Sequence, residues 1–175
     1  MRVTGGTLKG RILKCPEGII RPAMDKMKES VFQIIGDLSE KSFLDMFSGS
    51  GSIGIEAASR GAQMVYCVEK DKIKIPVILE NVSIAPVKIQ CKFMAAELFL
   101  KRNKLQFDYI FLDPPFPYHF HKDLVAMCCD TGTLKEDGTL MIHRPQEKNL
   151  PDTISGFHRI DQRSFGRSIV DFYHF

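Results

Sequence analysis

Short apolar segments alternate with segments of helical spacing between residues 42 and 143, and this alternation restricts the chain to few folds. The apolar segments are five to seven residues long, as buried strands are. Repeated strand–helix units predict an α/β fold, a mostly parallel sheet with helices on both faces. Residues 157–164 and 168–174 alternate around Gly166 and predict a terminal hairpin. The predicted strands are 42–46, 64–69, 87–93, 107–113 and 139–143, and the predicted helices are 53–60, a segment from about 75, 95–101 and 122–129.

The length and composition limit the class of protein. A chain of 175 residues suits one domain, and we expect residues 1–22 to form a short, basic, hairpin-like N-terminal appendage and residues 23–175 a Rossmann-like core. The 44% hydrophobic and 26% charged residues exclude a disordered chain. No apolar run approaches the roughly 20 residues of a membrane-spanning helix, and the first residues lack a secretory signal. Five cysteines without a Cys-x-x-Cys pair predict a reduced, cytoplasmic protein without a metal site.

Positive charge is concentrated at the front of the chain. Residues 1–28 carry seven basic and two acidic side chains, a charge of +5, whereas the remaining 147 residues carry 17 basic and 19 acidic ones, a charge of −2. A basic segment can neutralise nucleic-acid phosphates and give salt-sensitive binding. A solvated surface without a partner is the alternative. The candidate RNA contacts are Arg2, Lys9, Arg11, Lys14, Arg21, Lys26 and Lys28.

A glycine-rich loop links the first predicted strand to its helix. The run from Gly49 to Gly54 has the spacing Gly-x-Gly-x-x-Gly, which lets the backbone turn sharply and approach a ligand. Glu69 ends the next strand, 20 residues after Gly49, where a carboxylate can accept hydrogen bonds from both ribose hydroxyls of an adenosine. Together the two features predict an adenosine-containing cofactor, and the alternative is a tight turn beside a solvated glutamate.

Asp45, at the tip of the first strand, indicates which cofactor this is. A dinucleotide brings a pyrophosphate, which prefers exposed amides and a helix N-terminus and which the Asp45 carboxylate would repel. S-adenosylmethionine instead brings a sulfonium and an ammonium group, whose charges a nearby acid stabilises. The sequence therefore favours a methyltransferase over a dehydrogenase.

The tetrapeptide Asp113-Pro114-Pro115-Phe116 ends the fourth predicted strand, at the sheet edge where α/β proteins bind ligands. Two consecutive prolines stiffen the loop and remove two N–H donors. The Asp113 carboxylate and the Pro114 carbonyl can then accept both hydrogens of one exocyclic amine, while Phe116 stacks on the base. In-line methyl transfer to that nitrogen needs positioning rather than a strong general base. Taken alone, the tetrapeptide fits a rigid turn equally well.

The order of these motifs resembles that of the bacterial RsmD family, whose members are S-adenosylmethionine-dependent 16S ribosomal RNA guanine-N2 methyltransferases. The matching pieces are Gly5-Gly6 to Gly10-Arg11, Arg21-Pro22 with Asp25, Asp45 to Gly51, Val68 to Asp71 and Leu112 to Phe116. The resemblance implies a seven-stranded class I methyltransferase sheet with an antiparallel last strand, and a basic front end that holds RNA. It implies catalytic roles for Asp113, Pro114, Pro115 and Phe116, and cofactor contacts from Asp45, Phe47, Gly49, Gly51, Glu69, Lys70, Ala95 and Ala96.

The chain departs from the family pattern at three places, one of which is Pro76 in the second helix. Ala23 follows Arg21-Pro22 where the family has threonine. After the third strand the family places an acid that meets the adenine amino group. Here the segment ends Ala95-Ala96-Glu97, so backbone groups serve unless Glu97 reaches back.

Two further functions remain open beside methylation of a guanine N2 amine in 16S ribosomal RNA. An adenine-N6 methyltransferase acting on DNA or RNA also needs a Pro-Pro-aromatic loop, and a non-catalytic RNA-binding assembly factor would keep the fold. We expect a monomer whose partner is 16S ribosomal RNA or the small ribosomal subunit. His119 and His121 are interpreted as part of a flexible flap beside the substrate, and His143 as a structural residue.

Overall fold

The structure is a computed structural model that describes residues 1–15 and 23–175 and, for residues 23 and 24, the backbone alone. The strands are β1 Ser42–Met46, β2 Met64–Val68, β3 Ile89–Lys92, β4 Phe107–Leu112, β5 Leu134–Pro145, β6 Thr153–Ile154, β7 Phe157–Phe165 and β8 Ser168–His174. The helices are α1 Ala23–Ile35, α2 Ser52–Ser59, α3 Ile75–Val82, α4 Ala96–Arg102 and α5 His121–Asp130, and a 3-10 helix, Lys72–Lys74, precedes α3. Within these described ranges, none of the helices is long and apolar enough to cross a membrane.

The strands form a sheet in the order β3-β2-β1-β4-β5-β8-β7-β6. Strands β1 to β5 pair in parallel, and β8 enters antiparallel between β5 and β7. The predicted mostly parallel sheet with a terminal antiparallel hairpin is confirmed. The predicted count of seven strands is too low by one, because Thr153–Ile154 pairs with the beginning of β7. Two residues are too few to give a recognisable alternation in a sequence.

Strand β5 is longer than predicted. It begins at Leu134 rather than at residue 139, because Leu134 pairs with Phe107 on the far side of a register shift. The charged run Lys135–Asp137 separates Leu134 from the apolar part of the strand and hides this beginning in the sequence. Strand β5 therefore extends from the amino edge of the sheet to its carboxyl edge.

Apolar side chains fill both faces of the sheet. One face packs against α1, α2 and α3, and the other packs against α4 and α5. All five residues of β1 are buried, as expected of a central strand that is covered on both faces. All eight residues of α2 are buried as well. The buried elements β1 and α2 therefore fix the two ends of the glycine-rich loop that joins them.

The N-terminal segment, residues 1–15, packs against the sheet and helices instead of projecting from them. Arg2 and Ile12 form an antiparallel bridge, which gives the predicted hairpin-like shape. Val3 and Leu13 are buried in the same core as α2. Arg21, Pro22 and the predicted boundary after residue 22 lie outside the described residues.

Hydrogen bonds tie the N-terminal segment to α2. The Thr4 N–H and hydroxyl donate to the buried Glu56 carboxylate, at 2.8 and 2.7 Å. The Ser59 hydroxyl donates to the Gly5 carbonyl at 2.6 Å. These partners lie more than 50 residues apart in the chain, so the segment is held by long-range contacts.

A second connection joins the N-terminal segment to the glycine-rich loop. The Lys14 N–H donates to the Asn81 side-chain oxygen at 2.9 Å. The Asn81 amide nitrogen donates to the carbonyls of Lys14 and Ser50, both at 2.9 Å. Asn81 is 4% exposed, so one buried side chain of α3 fixes the segment and the loop relative to each other.

Candidate active site

The loop between β1 and α2, residues 47–51, turns sharply at the carboxyl edge of the sheet. Phe47, Gly49 and Gly51 have φ angles of 63°, 58° and 79°, a region that favours glycine. A Cβ atom on Gly51 would also come within 3.0 Å of Ile78 in α3. Phe47 holds its left-handed conformation at a cost of about 1–3 kcal/mol. The backbone conformation thus explains the glycines at positions 49 and 51.

Asp45 is buried at the tip of β1 and is 1% exposed. Its Oδ2 accepts a hydrogen bond from the Gly54 N–H at 3.0 Å, which fixes α2 to the strand. Burial raises the pKa of Asp45 to about 7, the Gly54 N–H opposes this shift, and the negative charges of Asp113 and Glu69 add to it. Acidic side chains from three strands therefore act on one another at this edge, which favours a cationic ligand.

Glu69 follows β2 and is directed to the glycine-rich loop, as its spacing predicted. Its Oε2 accepts from the Gly49 N–H at 2.8 Å, and its Oε1 accepts from the Asp71 N–H at 2.9 Å. The side chain is 5% exposed, and Lys74 Nζ lies 3.7 Å from Oε2. The adjacent Lys70 is exposed. Each carboxylate oxygen keeps a second lone pair that can accept a hydroxyl.

The Asp113-Pro114-Pro115-Phe116 corner follows β4 at the same edge. The Asp113 N–H donates to the Met46 carbonyl at 3.2 Å, which extends the pairing of β4 with β1. Pro114 is buried, whereas Pro115 and Phe116 are exposed. Since β1 lies between β2 and β4 in the sheet, the corner and Glu69 lie on opposite sides of the glycine-rich loop.

Comparison with known proteins shows the family of this chain. A family model described as conserved hypothetical protein 95 matches residues 1–174. The chain belongs to this family. It is 33% identical to a Bacillus subtilis protein named "Putative rRNA methyltransferase YlbH" over 99% of this chain and 98% of that one. It is 32% identical to the Haemophilus influenzae "Ribosomal RNA small subunit methyltransferase D" over 86% of this chain and 81% of that protein.

A solved structure shows the same fold. The Escherichia coli structure described as "Putative methyltransferase yhhF" superposes with a TM-score of 0.87 at 26% identity, over 99% of this chain and 96% of that chain. The resemblance to the RsmD family that the motifs indicated is confirmed. So is the prediction of a methyltransferase-type α/β fold.

This member of the conserved hypothetical protein 95 family uses Glu97 in a way the sequence did not predict. The Tyr118 hydroxyl donates to Glu97 Oε1 at 2.7 Å, so the acid at the beginning of α4 bonds to the loop that follows Phe116. Burial and Glu97 together raise the pKa of Tyr118. The Tyr118 ring also contacts Phe47 edge-on, with ring centroids 5.5 Å apart. Ala95 caps α4 without a side-chain hydrogen bond, which leaves backbone groups at this site.

His143 is the second site residue that the sequence analysis missed. Its Nδ1 lies 2.8 Å from Asp113 Oδ1, and its ring contacts the Phe116 ring edge-on, with centroids 6.5 Å apart. The strand register brings the three together, because Leu112 of β4 pairs with Ile142 of β5. A sequence without a known register gives no signal for this pair.

The candidate RNA contacts divide into exposed and buried residues. Arg2, Lys9, Arg11, Lys14 and Lys26 are exposed, whereas Arg21 lies outside the described residues.

The prediction that Lys28 contacts RNA is wrong. Its side chain is fully buried, its Nζ donates to the Arg2 carbonyl at 2.6 Å, and Glu56 Oε2 lies 3.5 Å away. Asp25 lies at the same distance from Nζ. Lys28 therefore neutralises a buried acid under the N-terminal segment and is not a surface contact for RNA. The prediction from charge alone is wrong for Lys28, because the position of this residue on α1 directs its side chain toward the core.

Proposed function

We propose that this chain is an S-adenosylmethionine-dependent methyltransferase that modifies the exocyclic N2 amine of a guanine in 16S ribosomal RNA. One observation carries the proposal. The Asp113-Pro114-Pro115-Phe116 corner and the glycine-rich loop with Glu69 lie side by side at one edge of the sheet. Relatives named as ribosomal RNA methyltransferases, which align with most of the chain, support methyl transfer to ribosomal RNA.

The donor set at this edge fits S-adenosylmethionine. The remaining lone pairs of Glu69 can accept the ribose hydroxyls. The acidic surroundings of Asp45 suit sulfonium and ammonium charges and would repel a pyrophosphate. Backbone groups at Ala95 and Ala96 remain for the adenine, since Glu97 is bonded to Tyr118. When bound, the cofactor supplies a methyl group on a positively charged sulfur.

The corner after β4 would hold the amine that receives the methyl group. Since His143 occupies Asp113 Oδ1, the other carboxylate oxygen and the Pro114 carbonyl are left to accept the two amine hydrogens. Two acceptors fix the nitrogen and direct its lone pair to the opposite side. Phe116, 45% exposed, offers a stacking surface worth roughly 1–3 kcal/mol. The chain thus contributes positioning, which is sufficient for in-line transfer.

Identification of the product tests the proposal. Labelled methyl transfer is measured in parallel on small ribosomal subunits, naked 16S ribosomal RNA and duplex DNA, and the methylated nucleoside is then identified. We expect N2-methylguanosine from one of the RNA substrates. N6-methyladenosine would instead assign the chain to the adenine enzymes. The absence of both transfer and cofactor binding in calorimetry would favour the assembly-factor alternative.

The exposed basic residues of the N-terminal segment would contact the RNA backbone. Charge reversal at Lys9 and Arg11 should weaken RNA binding and lower the salt dependence by about one unit of slope for each lost phosphate contact. Lys104, exposed in the loop before β4, gives a matched control for the single Lys9→Glu change, because the same change of charge is then made outside the N-terminal segment. An equal loss in the Lys104→Glu variant would show that the effect depends on net charge alone.

The proposal also places the protein in the cytoplasm, where bacterial ribosomes are assembled, and makes 16S ribosomal RNA or the small subunit its partner. We propose that it acts as a monomer with residues 1–175 as one methyltransferase domain. Sedimentation of the free protein and of its mixture with small subunits tests both points.

A further inference from the structure

His143 and Asp113 form a hydrogen-bonded pair at the carboxyl edge of the sheet. Leu112 pairs with Ile142 in the parallel register of β4 and β5. The residues that follow them, Asp113 and His143, therefore lie side by side. His143 Nδ1 is 2.8 Å from Asp113 Oδ1. The two side chains are 5% and 16% exposed, and water therefore competes little for this hydrogen bond.

The hydrogen bond with Asp113 determines which ring nitrogen of His143 carries a hydrogen. An ionised carboxylate has only acceptors, so Nδ1 of His143 must carry the hydrogen. The other ring nitrogen, Nε2, is buried and has no hydrogen-bond partner among residues 1–15 and 23–175. A neutral imidazole with its proton on Nδ1 leaves a lone pair on Nε2, which is the reverse of the tautomer favoured in water. The pair therefore has a spectroscopic signature that does not depend on activity.

The pair also determines which oxygen of Asp113 is available to a ligand. His143 engages Oδ1, and within the described residues no hydrogen bond is made to Oδ2. A carboxylate held at one oxygen cannot rotate freely, so Oδ2 keeps one direction. The His143 ring also contacts Phe116 edge-on, so it touches both ends of the tetrapeptide.

We propose that His143 is a positioning residue for amine recognition. By donating from Nδ1 it fixes the rotation of the Asp113 carboxylate, so that Oδ2 accepts a hydrogen from the substrate amine. This inference rests on the proposed methyl transfer to an amine. His143 acts through Asp113 and not on the reacting atoms, so it affects the turnover rate and leaves cofactor binding intact.

A pair of variants tests the kinetic part. His143→Phe keeps a ring against Phe116 and removes both nitrogens, whereas His143→Asn keeps an N–H donor close to the position of Nδ1. Loss of a hydrogen-bond partner that orients a functional side chain costs about 10- to 100-fold at metal sites, and we expect a similar fall in kcat for His143→Phe. The Kd of S-adenosylmethionine, measured by calorimetry, should change by less than about twofold, since the variant removes no proposed contact with the cofactor.

The Asn variant and a surface control complete the kinetic test. His143→Asn should recover most of the rate that His143→Phe loses. His158, exposed on β7, is the matched control, and His158→Phe should leave kcat unchanged. Unchanged kcat in His143→Phe would overturn the proposal, and so would an equal loss in both His143 variants. If the wild-type protein transfers no methyl group, the proposed function fails and the positioning role fails with it.

Nitrogen-15 NMR of the imidazole rings measures which nitrogen of His143 is protonated. The measurement is made on the folded wild-type protein, so it remains valid if a variant does not fold. We expect His143 to be protonated at Nδ1 in the wild type. In Asp113→Ala, without the acceptor, the neutral ring should shift toward the Nε2-protonated tautomer. An Nε2-protonated neutral ring in the wild type would overturn the assignment.

Discussion

Buried acids are neutralised differently in two regions of the molecule. At the antiparallel end of the sheet, the fully buried Asp171 accepts from Arg144 Nε at 2.5 Å, from Gln162 Nε2 at 2.6 Å and from Arg159 at 3.2 Å. Arg144 is itself buried, with 1% of its side chain exposed. In this region the buried charges of Asp171 and Arg144 have counter-charges within hydrogen-bond distance.

At the carboxyl edge, by contrast, Glu69 has Lys74 Nζ 3.7 Å away, but within the described ranges the other two acids have no basic partner of this kind. Among the residues that the structure describes, Asp45 and Asp113 make no ion pair with a lysine or an arginine. Burying a charge without a partner is expensive, and the raised pKa of Asp45 reflects that cost. The paired region around Asp171 therefore stabilises the fold, whereas the unpaired region around Asp45 and Asp113 suits the cationic cofactor and the substrate amine that we propose.

The largest expected effect tests the paired region. Asp171→Ala leaves the buried Arg144 without its counter-charge, which should cost about 3–5 kcal/mol of unfolding free energy. Urea denaturation measures this cost. Asp152 is a matched control because it also pairs with Arg159 but is 82% exposed, and Asp152→Ala should cost at most about 1 kcal/mol. Equal losses in the two variants would mean that burial does not set the value of these pairs.

The next effect tests the unpaired region. Asp113→Ala should reduce methyl transfer by about 10²- to 10³-fold, the scale seen when one preorganised hydrogen-bonding group is removed from a reaction centre. The Kd of S-adenosylmethionine should stay close to the wild-type value, and the unfolding free energy should fall by no more than about 1–3 kcal/mol, because among the described residues only the buried His143 Nδ1–H loses its acceptor. A large loss of stability would move Asp113 into the same class as Asp171.

Acid titration tests a third acid, Asp108, which is ion-paired with Lys135 at the amino edge of the sheet. Burial acts to raise the pKa of Asp108, but hydrogen bonds from Lys135 and Ser42 outweigh it and lower the pKa to about 2. A folded-state pKa below the unfolded value means that the stabilisation is present above about pH 4 and is lost as the pH falls toward 2. We expect about 1–2 kcal/mol to separate the wild type from Asp108→Asn at pH 7, and little at pH 2. A constant difference across this range would contradict the assignment.

The smallest effect concerns protons released when the cofactor binds. With a pKa of about 7, Asp45 is half protonated at neutral pH. A cation nearby lowers that pKa, so about half a proton should leave for each cofactor bound at pH 7. Calorimetry in two buffers of different ionisation enthalpy measures the release, and Asp45→Asn should abolish it. Zero release in the wild type would show that no positive charge binds beside Asp45.

Local patterns predicted the central part of the fold well. The predicted strand 42–46 coincides with β1, and the glycine spacing and Glu69 come together as expected. These features depend on neighbours along one strand–loop–helix unit. The terminal hairpin was also predictable, because its two strands alternate around Gly166.

Long-range contacts were not predictable from the sequence. The pairing of Asp113 with His143 depends on the register of two strands joined by a 21-residue connection, Asp113 to Thr133. The burial of Lys28 depends on the N-terminal segment covering it, which no local pattern encodes. The short strand β6 carries too few residues to be detected.

The contacts of the N-terminal segment have a consequence for how the chain is made. Thr4 bonds to a partner 52 positions later, and Lys14 to one 67 positions later. On a ribosome, residues 1–15 leave the exit tunnel before α2 and α3 do, so they cannot reach their final positions until α3 has been synthesised. Closing such long loops slows folding, so residues 1–15 of a nascent chain stay exposed to solvent, or to chaperones, from the time they leave the tunnel until α3 follows.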